Sequence, residues 1–118
     1  MSEEDLPPWI KEQVSRLHQI QQNLQAIMMK KQQIEQETSE TDRVIEEIKK
    51  IDEDKVYKRH NTLLVKAKRE DILKELKEKK YALNIRMEVI EKQEKRVSDN
   101  LKEVENKIIK MRTLLDND

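Results

Sequence analysis

Two long stretches with a heptad pattern of apolar residues, at residues 9–52 and 70–115, flank a short segment rich in β-forming residues. A heptad pattern buries one narrow seam against a partner helix and leaves the other helix faces in water, so it builds no globular core. The matched lengths and the short connection favour antiparallel pairing of the two stretches. We therefore expect a mostly α fold, a long antiparallel coiled coil of two helices joined by a β-hairpin.

The second stretch has the more regular seam. Counting alternately three and four residues from Leu73, eleven of thirteen positions are apolar, and the exceptions are Lys80 and Glu94. A repeat of about 3.5 residues is typical of a coiled coil, whereas a globular helix carries a broader apolar face. The seam positions are Leu73, Leu76, Lys80, Leu83, Met87, Ile90, Glu94, Val97, Leu101, Val104, Ile108, Met111 and Leu115.

The first stretch begins after Pro7-Pro8, where the fixed φ of proline suits a helix start. Its seam is apolar at both ends and polar through the middle, and we expect looser packing between Lys31 and Thr41. The seam positions are Ile10, Gln13, Leu17, Ile20, Leu24, Ile27, Lys31, Ile34, Thr38, Thr41, Ile45 and Ile48.

The charged residues in the two seams predict how the helices align. An antiparallel pair that brings residue 52 near residue 70 places Lys80 beside Asp42. The same alignment brings Glu94 close to Lys30 and Lys31. Opposite charges at such interruptions fix the register of a coiled coil at some cost in stability.

The segment between the helices is expected to form a β-hairpin at residues 55–67. Val56-Tyr57-Lys58-Arg59 and Leu63-Leu64-Val65-Lys66 have strand composition, and His60-Asn61-Thr62 separates them as a turn, with Asn61 suited to a positive φ. An isolated hairpin is marginal in water and offers unpaired strand edges to other chains. We infer that hairpins of several subunits pair and close a small sheet, an oligomeric β-barrel.

Composition limits the class of protein. Of the 118 residues, 42% are charged, the net charge is zero, and glycine, phenylalanine and cysteine are absent. Zero net charge argues against a partner held by phosphate attraction, and the lack of cysteine excludes disulfides and thiolate metal sites. No apolar run approaches the roughly 20 residues that span a membrane, and the acidic start is unlike a signal peptide. We expect a soluble cytoplasmic protein.

The sequence offers no site for bond chemistry. His18 and His60 are far apart in the chain, and neither lies in a cluster of metal-ligating residues. There is no nucleophile–base constellation and no glycine-rich phosphate loop. We expect a protein that is not an enzyme and that uses no cofactor or metal.

Five segments together resemble a β-class subunit of prefoldin, of the archaeal type. They are Leu6-Pro7-Pro8, the glutamine-rich Gln19–Ile27, Val56-Tyr57-Lys58, Leu63-Leu64-Val65-Lys66 and Ile90–Val97. The resemblance covers nearly the whole chain in the family's order and spacing, and the hairpin with matched arms is its most specific part. The family usually has a glycine in the hairpin turn, where this chain has Asn61.

The resemblance implies an ATP-independent chaperone built from two α-class and four β-class subunits. In that family the β-hairpins form a double β-barrel body, and the coiled-coil tips capture unfolded proteins and transfer them to a group II chaperonin. Residues 1–118 would then form a single prefoldin-type unit, with an N-terminal tip at 1–8, helices at 9–52 and 70–115, and the hairpin at 55–67.

The resemblance also implies which residues do the work. The client-binding residues would be Leu6, Trp9, Ile10, Val14, Ile108, Ile109, Met111, Leu114 and Leu115. The oligomerisation residues would be Val56, Tyr57, Leu63, Leu64 and Val65. Two alternatives stay open: Trp9 also fits a hydrophobic staple in the first turn of the helix, and Met111 and Leu115 also fit plain seam positions.

Two other functions compete with the chaperone. An RNA-binding coiled-coil arm, like the helical arm of seryl-tRNA synthetases, would want a basic bend, and a structural coiled-coil scaffold would need only a short polar loop there. The basic residues at the bend are Lys55, Lys58, Arg59, Lys66 and Lys68. Neither function needs β-strands at the bend, and the basic residues also suit the polar outer face of a barrel.

Overall fold

A computed structural model describes residues 6–117, in which two long helices are joined by a two-stranded antiparallel hairpin. This confirms the expected fold class. The elements are α1 (Pro8–Lys49), β1 (Lys55–His60), β2 (Leu63–Lys68) and α2 (Arg69–Asp116). Of the predicted N-terminal tip, residues 1–5 lie outside the described part of the chain.

Both helices contribute to two compact units. The terminal unit consists of Met1–Lys31 and Val89–Asp118, and the hairpin unit consists of Gln32–Glu88.

A buried apolar cluster forms the core of the terminal unit. Lys31 Nζ lies 3.3 Å from Glu94 Oε1 at one end of this unit, and Leu6 lies beside Leu115 at the other. The two helix segments are therefore antiparallel, and Glu94 meets Lys31 as predicted. The buried members of the cluster are Leu6, Ile10, Val14, Ile20, Val104 and Ile108, with Leu17, Val97, Leu101, Met111 and Leu115 packed against them.

Helix α1 starts at Pro8, and its first helical hydrogen bonds are accepted by the carbonyl of the preceding residue, Pro7. The amides of Ile10 and Lys11 both donate to Pro7 O, at 3.0 Å each. Pro8 has no amide hydrogen to leave unpaired in the first turn, and its φ is already helical.

The hairpin unit contains the polar part of the α1 seam. Lys80 Nζ lies 2.7 Å from Asp42 Oδ1, which confirms the predicted alignment of the two helices. Thr41 is only 3% exposed, so the helices stay in close contact where we expected looser packing. The hydroxyls of Thr38 and Thr41 donate to the carbonyls of Ile34 and Glu37, 2.7 Å away, and no hydroxyl is buried without a partner at either position.

The turn of the hairpin is shorter than expected. His60 pairs with Leu63 in the strand ladder, so the turn comprises Asn61 and Thr62 alone. Asn61 has a φ of 56°, and it is the one residue among those described that has a positive φ. A positive φ at the first turn residue alone is the pattern of a type II′ turn, in which glycine is usual at that position.

Arg69 joins the base of the hairpin to the end of α1. Its Nε and Nη2 donate to the carbonyls of Ile48 and Lys49, at 3.0 and 3.1 Å, and its amide donates to Asp54 O at 2.8 Å. The guanidinium thus donates to carbonyls in the last turn of α1, at the negative end of the helix dipole, and Ile48 O also accepts from the Ile51 amide at 3.1 Å. Helix α1 ends at Lys49, before the expected residue 52.

Candidate functional site

The predicted client-binding residues fall into a buried group, an exposed group and an intermediate pair, all in the terminal unit. Leu6, Ile10, Val14 and Ile108 are buried in the core of this unit, and Ile10 has no exposed surface. In the closed coil these four side chains hold the two helix ends together. They become accessible only where the helix ends separate.

The exposed group consists of Trp9, Ile109 and Leu114. Ile109 and Leu114 are 61% and 67% exposed, and Trp9 is 44% exposed. All three lie off the heptad seam, so helix pairing does not cover them. We call these three residues the exposed tip.

Met111 and Leu115 are intermediate, because they pack against the core and remain partly exposed. Leu115 lines a small surface cavity of about 210 Å³ together with Leu6, Arg112 and Asp116.

Gln13 introduces a weakness into the same core. Its Oε1 is buried and accepts no hydrogen bond from the residues that the structure describes. A buried acceptor without a partner costs about 1–3 kcal/mol relative to the hydrated state.

The predicted oligomerisation residues lie on the hairpin, and four of the five are exposed. Leu63 and Leu64 are each 68% exposed, Tyr57 and Val65 are exposed as well, and Val56 is half-buried. Within residues 6–117 the sheet has only two strands, so one edge of each strand has no strand partner.

The strand register sorts the hairpin side chains onto two faces, because directly opposite residues of an antiparallel pair share a face. One face, the apolar face, carries the pairs Val56–Ala67, Lys58–Val65 and His60–Leu63. The other, the basic face, carries Lys55–Lys68, Tyr57–Lys66 and Arg59–Leu64. The predicted oligomerisation residues are therefore divided between the two faces.

Two contacts that the sequence analysis missed hold the hairpin against the helices. One is the Arg69 contact with the end of α1. The other joins Lys58 Nζ to Glu75 Oε2, 3.0 Å away on α2. The sequence contains a signal for the Arg69 contact. Arg69 is a basic residue at the start of a helix, where acidic residues such as Glu70 and Asp71 are favoured.

The described residues show no metal-binding group. Within residues 6–117, no three histidine, aspartate or glutamate side chains come together in a way that would hold a metal ion. Neither helix is long and apolar enough over its described length to cross a membrane.

Comparison with known proteins gives a consistent result. Residues 11–113 match the model of a family described as "Prefoldin subunit". The chain is 37% identical over 105 residues to the prefoldin subunit beta of Archaeoglobus fulgidus, which covers 88% of this chain and 90% of that protein. It is 38% identical over 106 residues to the prefoldin subunit beta of Thermococcus onnurineus, covering 89% of this chain and 91% of that protein.

The solved structures agree. The crystal structure of the prefoldin beta subunit from Thermococcus strain KS-1 superposes with a TM-score of 0.82 and 34% sequence identity, covering 88% of this chain and 92% of that one. Its agreement in fold extends over the helices and the hairpin together. The antiparallel seam, the open hairpin and the matches over 88% of the chain lead to one conclusion: the chain belongs to the prefoldin family, as a beta subunit.

Proposed function

We propose that this chain captures unfolded proteins at its tip, without ATP, and transfers them to a group II chaperonin in the cytoplasm. It would do so as one of four beta-class subunits assembled with two α-class subunits through the hairpin. The observation that carries the proposal is the exposed tip, where Trp9, Ile109 and Leu114 remain accessible beside a closed core.

The exposed tip suits weak and unselective binding. Removing apolar surface from water yields about 25 cal/mol per Å², and three side chains offer little area, so a single tip would hold a client only briefly. Several tips acting on one client raise the overall affinity without new contacts at any one of them. Brief binding at each tip also lets a client pass on without a chemical step.

Opening of the helix ends would enlarge this surface. Gln13 Oε1, on the α1 seam between Ile10 and Leu17, is buried without a hydrogen bond from residues 6–117, and the energetic cost of this burial disappears when water reaches the oxygen. Separation of the helix ends would then add the buried aliphatic side chains of Leu6 and Ile10 to the exposed ones. Client binding is therefore expected to be coupled to local opening.

The hairpin supports the proposed assembly. Its strand edges and its exposed Leu63, Leu64 and Val65 are the kind of surface that another strand covers. The terminal unit lies in different parts of the sequence from the hairpin. The two proposed roles therefore use different residues.

A matched pair of variants tests client capture. The chain is reconstituted with an archaeal α-class prefoldin subunit, and suppression of the heat aggregation of citrate synthase is followed by light scattering. Replacing Ile109 and Leu114 together by lysine is expected to remove at least half of the suppression. The control replaces Met28 and Met29 by lysine, since these residues are similarly exposed at 56% and 59% and lie away from the tip on α1.

Native mass spectrometry of the same samples reports the assembly. A complex of two α-class and four of these chains is expected for the natural chain and for both variants. Equal suppression by the two variants would contradict client capture at the exposed tip. Absence of the complex with the natural chain would contradict the assembly.

A further inference from the structure

The hairpin is basic in a chain whose net charge is zero. Residues 55–69 contain six basic residues and no acidic one. Because the whole chain has a net charge of zero, the remaining residues carry a net charge of −6. The segment proposed to mediate assembly is therefore strongly cationic, while the rest of the chain is anionic.

The register concentrates these cations on one face. Lys55 lies directly opposite Lys68, and Lys66 and Arg59 follow on the same basic face. Like charges directly opposite each other in a strand pair are destabilising. The free hairpin thus keeps an unfavourable pair that an anionic neighbour would relieve.

The chain itself neutralises little of this charge. Lys58 pairs with Glu75 on α2, and the Arg69 guanidinium is bound to the end of α1. Asp54 and Glu70 line a surface cavity with Lys55 and Lys68 at the base of the hairpin. Within residues 6–117, however, Lys55, Lys66 and Lys68 form no ion pair.

Resting on the proposed assembly through the hairpin, we infer that this hairpin selects a partner chain whose hairpin is acidic, in preference to a second copy of itself. Two copies would bring two segments with six basic residues each into contact, and like-charge contacts suppress unwanted partners. An acidic strand beside the basic face neutralises Lys66 and Lys68 and relieves the Lys55–Lys68 repulsion.

The same surface fits a protein strand better than a nucleic acid. Leu63 and Val65 lie exposed on the apolar face, and Tyr57 and Leu64 lie exposed among the cations of the basic face. A polyanion would neutralise the charge and leave the aliphatic side chains and the strand edges in water. A protein strand neutralises the charge and also covers the aliphatic side chains and the strand edges.

A charge exchange tests the inference. Two probes are compared. The acidic probe is an archaeal α-class prefoldin subunit whose hairpin carries a net negative charge. The lysine version is the same protein with the acidic residues of its hairpin changed to lysine. Dissociation constants for the full-length chain are measured by biolayer interferometry at 50 and 500 mM NaCl. With the acidic probe, affinity is expected to fall about tenfold over this range, as screened charges act less strongly.

The variant K66E/K68E is expected to bind the acidic probe about tenfold more weakly at 50 mM NaCl and to bind the lysine version more tightly than the natural chain does. The matched control is K92E/K95E, which makes the same change in net charge at exposed positions of α2 in the terminal unit. Its affinity for both probes is expected to stay within twofold of the natural value.

The outcomes separate the two proposals. A complex that is indifferent to salt and to K66E/K68E overturns the charge inference and leaves the assembly standing. Failure of the natural chain to bind either probe overturns the proposed assembly and the inference with it. Submicromolar binding of a 20-nucleotide oligouridine at 150 mM NaCl, lost in K66E/K68E, overturns the inference in favour of a nucleic-acid surface.

Discussion

The terminal unit and the hairpin carry similar aliphatic side chains in opposite states of burial. Ile10 and Val104 are almost completely buried between two helices of the same chain, whereas Leu63 and Leu64 are two-thirds exposed on a sheet of two strands. A heptad seam finds its partner within the chain because the chain folds back on itself. A two-stranded hairpin has no second layer, so its apolar residues stay exposed in the single chain.

Because of this difference, we expect the terminal core to determine the stability of the chain and the hairpin to determine its association with other chains. Substitutions in the terminal core should act on the free energy of unfolding of the single chain. Substitutions on the hairpin should leave that free energy almost unchanged and act on complex formation.

The largest effect is expected for Leu63 and Val65, which share the apolar face of the hairpin. Replacing both by lysine should weaken binding to an α-class subunit by a factor of about a thousand, because each lysine would bury an unpaired charge in the interface. The isolated chain should keep its unfolding free energy to within about 0.5 kcal/mol, since both side chains are exposed. Titration calorimetry and urea unfolding measure the two quantities. A large loss of stability with intact binding would show that these hairpin residues stabilise the single chain and do not mediate association.

Ile10→Ala should have the next largest effect, on stability. Ile10 is fully buried, and deleting three methyl or methylene groups from such a site costs about 3 kcal/mol. Met29→Ala in the same unit is the control and should cost less than about 0.5 kcal/mol, because Met29 is exposed. Urea unfolding followed by circular dichroism compares them. Similar losses for the two variants would show that the terminal core is not closed in solution.

Arg69→Ala probes the joint between the two regions. Removing the guanidinium leaves the carbonyls of Ile48 and Lys49 without these donors, at a cost of about 1–2 kcal/mol. Arg43→Ala is the control, since its pair with Glu47 is exposed and spans 3.9 Å, and it should change stability by less than about 0.5 kcal/mol. Hydrogen exchange of the amides in the last turn of α1 should accelerate in the first variant alone. Unchanged exchange there would mean that the Arg69 contact does not stabilise the helix end.

The smallest effect is expected at the hairpin turn. Asn61 has a φ of 56°, which asparagine tolerates and glycine adopts without cost. Asn61→Gly should therefore change the stability of the hairpin by a few tenths of a kcal/mol, and Asn61→Ala should lower it by about 1 kcal/mol. Amide exchange across the β1–β2 ladder measures both. An alanine variant as stable as the natural chain would show that the free hairpin does not hold this turn.

The helix register was predictable from the sequence because it depends on a repeated pattern. The charged interruptions in two long seams select one alignment, and the ion pairs of Lys80 with Asp42 and of Glu94 with Lys31 confirm it. The hairpin was predictable from its composition, although the role of His60 in extending β1 was not, because histidine favours neither strand nor turn strongly enough.

The burial of the tip residues was harder to predict from the sequence. Leu6 lies outside α1, before Pro7-Pro8, yet it stands four residues before Ile10, in step with the α1 seam, and it is buried in the terminal core beside Leu115. Arg69 was missed because its contact with Ile48 joins residues 21 positions apart in sequence. Contacts of this kind depend on the folded geometry and leave no period in the sequence.

The Arg69 contact has a consequence for how such a chain changes over evolutionary time. The amide of Arg69 is bound to Asp54, and its guanidinium is bound to the last turn of α1, so both ends of the hairpin are anchored at one point. The strands between these anchors form a segment that could be replaced as a unit. In the proposed assembly, substitutions within residues 55–68 that spare Lys58 are expected to alter which chains associate and to leave the helices unchanged, and a transplanted hairpin is expected to carry its preference for partners into a new coiled coil.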